Sequence, residues 1–299
     1  MKTVFIVNPN GKKDGLYRVM QEIKKNYPGQ QVIIEKTQSS EHVQFLARKY
    51  ALKTEEEIHM YVCGGDGTLH HIVNGLAGAK HIKLSILPVG TGNDFVKYFE
   101  DLTIEDFLDL SNYKDGVEMN CDLLKCGGEY AINTISFGFD VNVAQHVNEF
   151  RNILPLKGIM AYYLGVLRNL MGPISQEYSI QIDDQRIKDI FSFVVFTNAR
   201  FYGGGYKPCP NALIDDGFMD VCLIKDIKRT QILGMASKYQ KGEHVNYPEL
   251  ASLFQAKTCH LDTENKEIMI NLDGEIHPIK NPTIEIEPNM IRLLLPKKK

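Results

Sequence analysis

The sequence predicts an α/β protein of two domains, a parallel sheet with helices on both faces followed by an antiparallel β domain. Three observations predict it. Strand-like apolar runs alternate with helical periods through the first third of the chain. Three of those runs end in loops rich in glycine. Beyond Gly116 the spacing changes to short strands joined by turns.

The first run, Thr3 to Val7, ends in Asn8-Pro9-Asn10-Gly11-Lys12-Lys13, a turn with many backbone donors and two cations. A helical stretch follows to about Tyr27, then a strand at Val32-Ile33-Ile34. Ser39-Ser40-Glu41 is an N-cap signal for a helix through Leu52. Met60 to Cys63 reads as a buried strand that breaks at Gly64-Gly65-Asp66-Gly67. Thr68 then starts a helix through Leu69, Ile72, Val73 and Leu76 to Gly78. The strand Leu84 to Leu87 breaks at Pro88-Val89-Gly90-Thr91-Gly92-Asn93-Asp94, and Phe95, Val96 and Phe99 resume a helical period. In a parallel sheet these three loops open on one edge, where ligands of such folds sit.

In the second part, Val117 to Lys125 and Tyr130 to Phe137 flank Gly127-Gly128, a hairpin signal. Ile153 to Met171 is expected to form a helix with a wide apolar face, interrupted by Lys157 and Arg168. A core helix is the main expectation, and a face toward a membrane or acyl chain the lesser one. Strands follow at Tyr178 to Ile182 and Ile190 to Thr197, about an Asp183-Asp184 turn. Further strands are expected at Phe218 to Ile224, Thr258 to Leu261, Glu267 to Leu272 and Thr283 to Ile286, with a helix near Thr230 to Lys241. Met290 to Leu295 is expected to return to the first domain.

Bulk composition narrows the function classes. Of 299 residues, 43% are hydrophobic and 24% charged, enough for a substantial core. The net charge of −3 excludes the basic field that broad nucleic-acid affinity requires. Six scattered cysteines without CxxC spacing, and no signal segment, point to reduced cytoplasmic thiols. No apolar run is long enough to span a bilayer.

The stretch from Tyr61 to Thr68 carries the chemistry. A strand, a glycine loop and a helix N-terminus expose amide N–H groups with the helix dipole behind them, which makes an anion site. Asp66 would repel a phosphate there unless a cation lay between, and magnesium suits one carboxylate plus phosphate oxygens. The competing view is a tight turn with a solvated aspartate.

Gly64-Gly65-Asp66-Gly67-Thr68, Pro88-Val89-Gly90-Thr91-Gly92-Asn93-Asp94 and Leu272-Asp273-Gly274-Glu275 occur in the order seen in the diacylglycerol kinase catalytic-domain family. Ile214-Asp215-Asp216-Gly217 and Gly242-Glu243-His244 make the chain similar to its soluble bacterial branch. The resemblance covers essentially the whole chain. It implies a Rossmann-like α/β nucleotide-binding domain (1–121 with 287–299), a β-sandwich lipid domain (122–286), and an active site in the cleft between them.

By the same resemblance, ATP would lie against Asn8, Pro9, Asn10, Gly11, Lys12, Thr37, Gly65, Asp66, Gly67, Thr68 and Thr91. Asp66 would be the magnesium carboxylate. Asn93, Asp94 and Asp122 would brace the loops and the domain junction. Glu275 is the candidate base with Asp273 in support, and exchanged roles stay open. If that segment is extended, Asp273 and Glu275 share one face and repel, raising one pKa. An Asp-Gly hairpin turn is the alternative. Asp216 with the carbonyls of Leu213 and Phe218 would hold a second, structural magnesium. Phe201 to Tyr206 would be a loop near the lipid entrance.

Two departures stand out. The first loop is one residue shorter than the family pattern, which shifts Lys12. The family's Asn-Glu after the threonine and one residue is replaced by His70-His71, read here as altered polar contacts. The expectation is an ATP- and magnesium-dependent lipid kinase making phosphatidic acid from diacylglycerol, peripheral to the membrane, possible as a homodimer, with no nucleic-acid partner. The alternatives are another acceptor (a sphingoid base, ceramide or a polyprenol) or a silent nucleotide-binding regulator.

Overall fold

The apolar runs of the first third become parallel strands: β1 (Lys2–Val7), β2 (Ile33–Lys36), β3 (Ile58–Gly64) and β4 (Ile82–Pro88). A computed structural model describes residues 2–29, 31–139, 141–142 and 174–298, so the apolar stretch Ile153 to Met171 lies outside the described residues. β3 is buried along its whole length, which explains a continuous apolar run in place of alternation. The strands lie in the order β2-β1-β3-β4, each pair parallel.

Helices cover both faces. α1 (Lys13–Asn26) contributes Val19 and Ile23 to an apolar cluster with Phe5 and Tyr61. On the other face α2 (Ser40–Ala51) and α3 (Asp66–Leu76) share a cluster with Val4, Met60 and Val62. Ser39 caps α2, accepting from the His42 amide at 3.3 Å. The helical period expected from Phe95 to Phe99 is only a 3-10 turn, Phe95–Tyr98, followed by the short α4 (Ile104–Leu108).

β5 (Val117–Cys126) and β6 (Glu129–Ala131) form the hairpin about Gly127-Gly128. The single strand expected from Tyr130 to Phe137 is instead two, because β7 (Thr134–Gly138) leaves for other neighbours. The antiparallel part continues with β8 (Gln176–Ile182), β9 (Gln185–Thr197) and β10 (Met219–Lys225). After α5 (Arg229–Lys241) come β11 (Ala251–Ala256), β12 (Thr258–Asp262), β13 (Ile268–Leu272) and β14 (Glu275–Ile279). A second core gathers Phe137, Ile180, Phe196, Val221 and Leu261.

The strands expected at Thr283 to Ile286 and Met290 to Leu295 are one, β15 (Thr283–Leu295), with a register shift between Glu287 and Ile291. β15 runs antiparallel to β5 and meets β4 in parallel at Arg292 and Leu293. It therefore stitches the two halves into one sheet. The six cysteines are buried and free. Among the described residues no helix is long and apolar enough to cross a membrane.

Candidate active site

The three glycine loops at the carboxyl ends of β1, β3 and β4 converge on one cavity of about 560 Å³, within the range of small-molecule sites. Asn8 donates to the Thr68 hydroxyl at 2.8 Å, tying the first loop to the second. The second and third loops pass back to back. A Cβ on Gly90 would lie 2.4 Å from the Gly65 Cα, so only glycine permits this approach. Asn93 folds back on its own loop, accepting from the Gly90 amide at 3.1 Å and donating to the Gly90 carbonyl at 3.0 Å.

α3 begins at Asp66, two residues earlier than its sequence period suggests, and no side chain caps it. Its N-terminal amides face the cavity, the arrangement that binds anions. The cavity is lined by Asn8, Asn10, Gly11, Lys12, Thr37, Gly65, Asp66, Gly67, Thr68 and Thr91. Among the residues expected to touch ATP, Pro9 does not line it. Lys12 forms no ion pair among the described residues, which leaves its ammonium for a ligand.

Asp66 is half-buried and accepts from the amides of Asp94 at 2.6 Å and Phe95 at 3.4 Å. Burial and the Asp94 carboxylate push its pKa up to about 6, against the lowering effect of those amides. A carboxylate held among like charges beside a phosphate-type cradle suits a divalent cation, so the donor set fits magnesium.

Asp94 is buried, forms an ion pair with Lys97 at 2.6 Å and accepts from the Gly204 amide at 2.7 Å. Asp122 accepts from the amides of Asn289 at 2.6 Å and Gly217 at 2.8 Å, joining β5 to β15 and to the 213–218 turn. In that turn Asp216 accepts from the Phe218 amide at 3.0 Å. Leu213, Asp216 and Phe218 thus share one turn with a single carboxylate ligand among them. No group of three His, Cys, Asp or Glu side chains able to hold a metal occurs among the described residues.

Asp273-Gly274-Glu275 is not extended. Asp273 (φ 52°) and Gly274 (φ 107°) form the tight turn between β13 and β14, as an Asp-Gly pair favours. The two carboxylates therefore part company. Asp273 turns inward, where its side chain is 1% exposed and accepts from the amides of Ile132, Asn133 and Thr134 at 2.7, 2.9 and 2.9 Å. Those bonds are what break the strand between β6 and β7. Glu275 turns outward into the cavity, opposite the phosphate loops.

The sequence reading treats His70 and His71 as minor contacts, but they meet this turn. His70 Nδ1 lies 3.6 Å from Asp273 Oδ2, and His71 Nε2 lies 3.8 Å from Glu275 Oε1. Burial opposes charge on His70, yet the Asp273 carboxylate prevails and its pKa is raised. For His71, burial and the neighbouring His70 lower it. Adjacent helix positions diverge, which is why each ring reaches a different carboxylate. The replaced Asn-Glu was the available signal.

Residues 2–126 match the family model described as diacylglycerol kinase catalytic domain, and residues 133–295 that described as YegS C-terminal NAD kinase beta sandwich-like domain. The chain is 27% identical to putative lipid kinase YtlR of Bacillus subtilis, covering 97% of this chain and 98% of the relative. It is 30% identical to a diacylglycerol kinase of Mycobacterium tuberculosis, covering 79% of this chain and 76% of the relative. A solved putative diacylglycerol kinase from Bacillus anthracis superposes with a TM-score of 0.77 at 22% identity, over 98% of this chain and 97% of the other, and shares the fold. With its motifs in family order and both halves matched, the chain belongs to the diacylglycerol kinase catalytic-domain family of lipid kinases.

Proposed function

We propose that this protein transfers the γ-phosphate of ATP, with magnesium, to a lipid hydroxyl, and that the acceptor is diacylglycerol and the product phosphatidic acid. One observation carries the reading: Glu275 of the antiparallel half lines the same cavity as Lys12, Asp66, Gly67, Thr68 and Thr91 of the phosphate loops. A carboxylate opposite a phosphate cradle is the minimum that phosphoryl transfer to an alcohol needs.

In this reading the amides at the start of α3 and the Lys12 ammonium bind phosphate oxygens. Bound magnesium, held by Asp66, would neutralise charge on the transferring group. Glu275 accepts the proton of the lipid hydroxyl. Asp273 plays no direct part, because its oxygens are engaged by three amides. A second magnesium on Asp216 and the carbonyls of Leu213 and Phe218 would brace the turn that Asp122 holds.

The acceptor is read from the names of the relatives, two of which are a diacylglycerol kinase and a putative lipid kinase. The deciding experiment presents diacylglycerol, sphingosine, ceramide and a polyprenol in mixed micelles with radiolabelled ATP. Labelled phosphatidic acid is expected, with Glu275→Gln slower by about 10²-fold or more. Preferential labelling of another acceptor would replace diacylglycerol. Equal labelling by wild type and Glu275→Gln would remove Glu275 from the mechanism.

Because the acceptor lies in a bilayer, the protein docks reversibly on membranes in this reading. Lys228 and Arg229 are exposed at the start of α5 beside Lys225, a grouping that favours anionic lipid surfaces. Lys207 contributes less, since Glu100 holds it at 3.0 Å. Flotation with anionic vesicles under turnover conditions should carry the protein upward, and its absence from the vesicle fraction would refute docking.

A further inference from the structure

Glu275 is 43% exposed on its side chain, and nothing in its own turn fixes its direction. His71 differs. Its side chain is 17% exposed, its Nε2 lies 3.8 Å from Glu275 Oε1, and that nitrogen is buried without a hydrogen-bond partner. A buried imidazole nitrogen without a partner is costly, and both side chains line the same cavity. The gap exceeds a hydrogen bond, but a rotation of the half-exposed Glu275 closes it, as happens when catalytic contacts tighten on substrate binding.

We propose that His71 is a positioning residue for the phosphoryl transfer: its Nε2–H holds one Glu275 oxygen so that the other faces the acceptor hydroxyl. The inference rests on Glu275 acting as the base. In the step itself the hydroxyl O–H bond breaks and its proton goes to the free Glu275 oxygen. The acceptor oxygen bonds the γ-phosphorus, and the bond to the β–γ bridging oxygen breaks with its electrons leaving on ADP. The proton then passes from exposed Glu275 to water, so His71 carries none.

The surroundings suit this role. The His70 ring lies 5.1 Å from His71, at 79° to it, and is paired with Asp273. Burial and the neighbouring His70 lower the His71 pKa, which favours the neutral imidazole, the form that orients Glu275 without quenching its basicity. The groups that act on His71 are His70 from α3, Glu275 from β14, Glu41 from α2 and Glu129 from β6. Protonation of His71 would convert the contact into an ion pair and lower the affinity of Glu275 for the acceptor proton.

The test uses the full chain as wild type, His71→Gln and Glu275→Gln. In the first arm, histidines labelled with 15N are titrated without substrate, the His71 signal being the one missing in His71→Gln. Its midpoint should lie below the ordinary histidine value and fall further in Glu275→Gln, by about half a unit or more, because a favourable charge is lost. In the second arm, dioctanoylglycerol in mixed micelles is phosphorylated with radiolabelled ATP from pH 5.5 to 8.5. Glutamine keeps an N–H donor but cannot take the proton. His71→Gln should thus retain kcat within about tenfold at pH 8, with KM for ATP unchanged and a shallower acid limb than wild type. A His71 midpoint indifferent to Glu275→Gln, or acid limbs that superpose, would overturn the proposal. Absence of turnover by wild type on every acceptor would refute the kinase reading instead, and the first arm would still decide the contact.

Discussion

The Asp94 carboxylate accepts a hydrogen bond of 2.7 Å from the Gly204 amide, 110 residues away, while its other oxygen lies 2.6 Å from the Lys97 ammonium. One buried side chain thus fastens the glycine loop of the antiparallel half to the phosphate side of the parallel half. Asp94→Ala removes a charge-assisted bond and leaves Lys97 without this partner. It should cost about 2 kcal/mol in a urea melt and speed exchange of the Gly204 amide at least tenfold. Asp94→Asn, which keeps an acceptor, should recover most of the exchange protection. Unchanged exchange in Asp94→Ala would mean the loop is held by other contacts.

Asp66 predicts a conflict between stability and function. Its folded pKa is raised to about 6, against 3.8 for the ordinary carboxyl. The stability this shift contributes is therefore present below pH 3.8 and lost as pH rises through 6. At pH 7.5, without metal, the folded protein carries a charge it holds poorly. Asp66→Asn should be more stable there by up to about 3 kcal/mol, while wild type and variant converge near pH 4. Magnesium should raise the urea midpoint of wild type and leave that of the variant in place. Phosphorylation by Asp66→Asn should be almost abolished. Equal midpoints at pH 7.5 would show that the carboxylate is not stressed.

Asp273 and Glu275 should separate cleanly under mutation. Asp273→Ala strands three buried amides and an adjacent imidazole, so a loss of about 3–5 kcal/mol is expected. Glu275→Gln, on an exposed side chain, should leave the midpoint within about 0.5 kcal/mol and slow turnover by about 10²-fold or more. Denaturant melts and the mixed-micelle assay on both variants would check this. Similar melts for the two would contradict the division between a structural and a chemical carboxylate.

How far the sequence is legible follows from how locally each feature is determined. β3, its glycine turn and α3 announce themselves because β3 is buried on all sides and the turn needs glycine. β11 and β14 do not. β14 (Glu-Ile-His-Pro-Ile) has no fully buried position, so no apolar pattern marks it. The split of the Tyr130 to Phe137 run is equally hidden, because the carboxylate that causes it lies about 140 residues onward. The same holds for the site. The residues that line the cavity from the parallel half sit largely on three local motifs and are visible, and of those expected there only Pro9 does not line it. The meeting of His70 and His71 with Asp273 and Glu275 arises only when the two halves pack.

The phosphate loops allow a last comparison between two glycines that look alike in sequence. A Cβ at Gly90 would lie 2.4 Å from the Gly65 Cα and 3.0 Å from its amide nitrogen, both backbone atoms with little freedom to yield. A Cβ at Gly67 would meet nothing within 4 Å, although Gly67 lines the cavity. Gly90→Ala must therefore push the two loops apart, with an expected cost of about 3 kcal/mol or more and loss of nucleotide binding. Gly67→Ala lies within α3, where alanine is favoured over glycine by about 1 kcal/mol. Its urea midpoint should equal or exceed that of wild type, while its methyl group intrudes where phosphate oxygens would approach the amides. KM for ATP should then rise by about tenfold or more, the loss of one or two charge-assisted contacts, with KM for the lipid unchanged. A Gly67→Ala protein that binds ATP as wild type does would move the phosphates away from the start of α3.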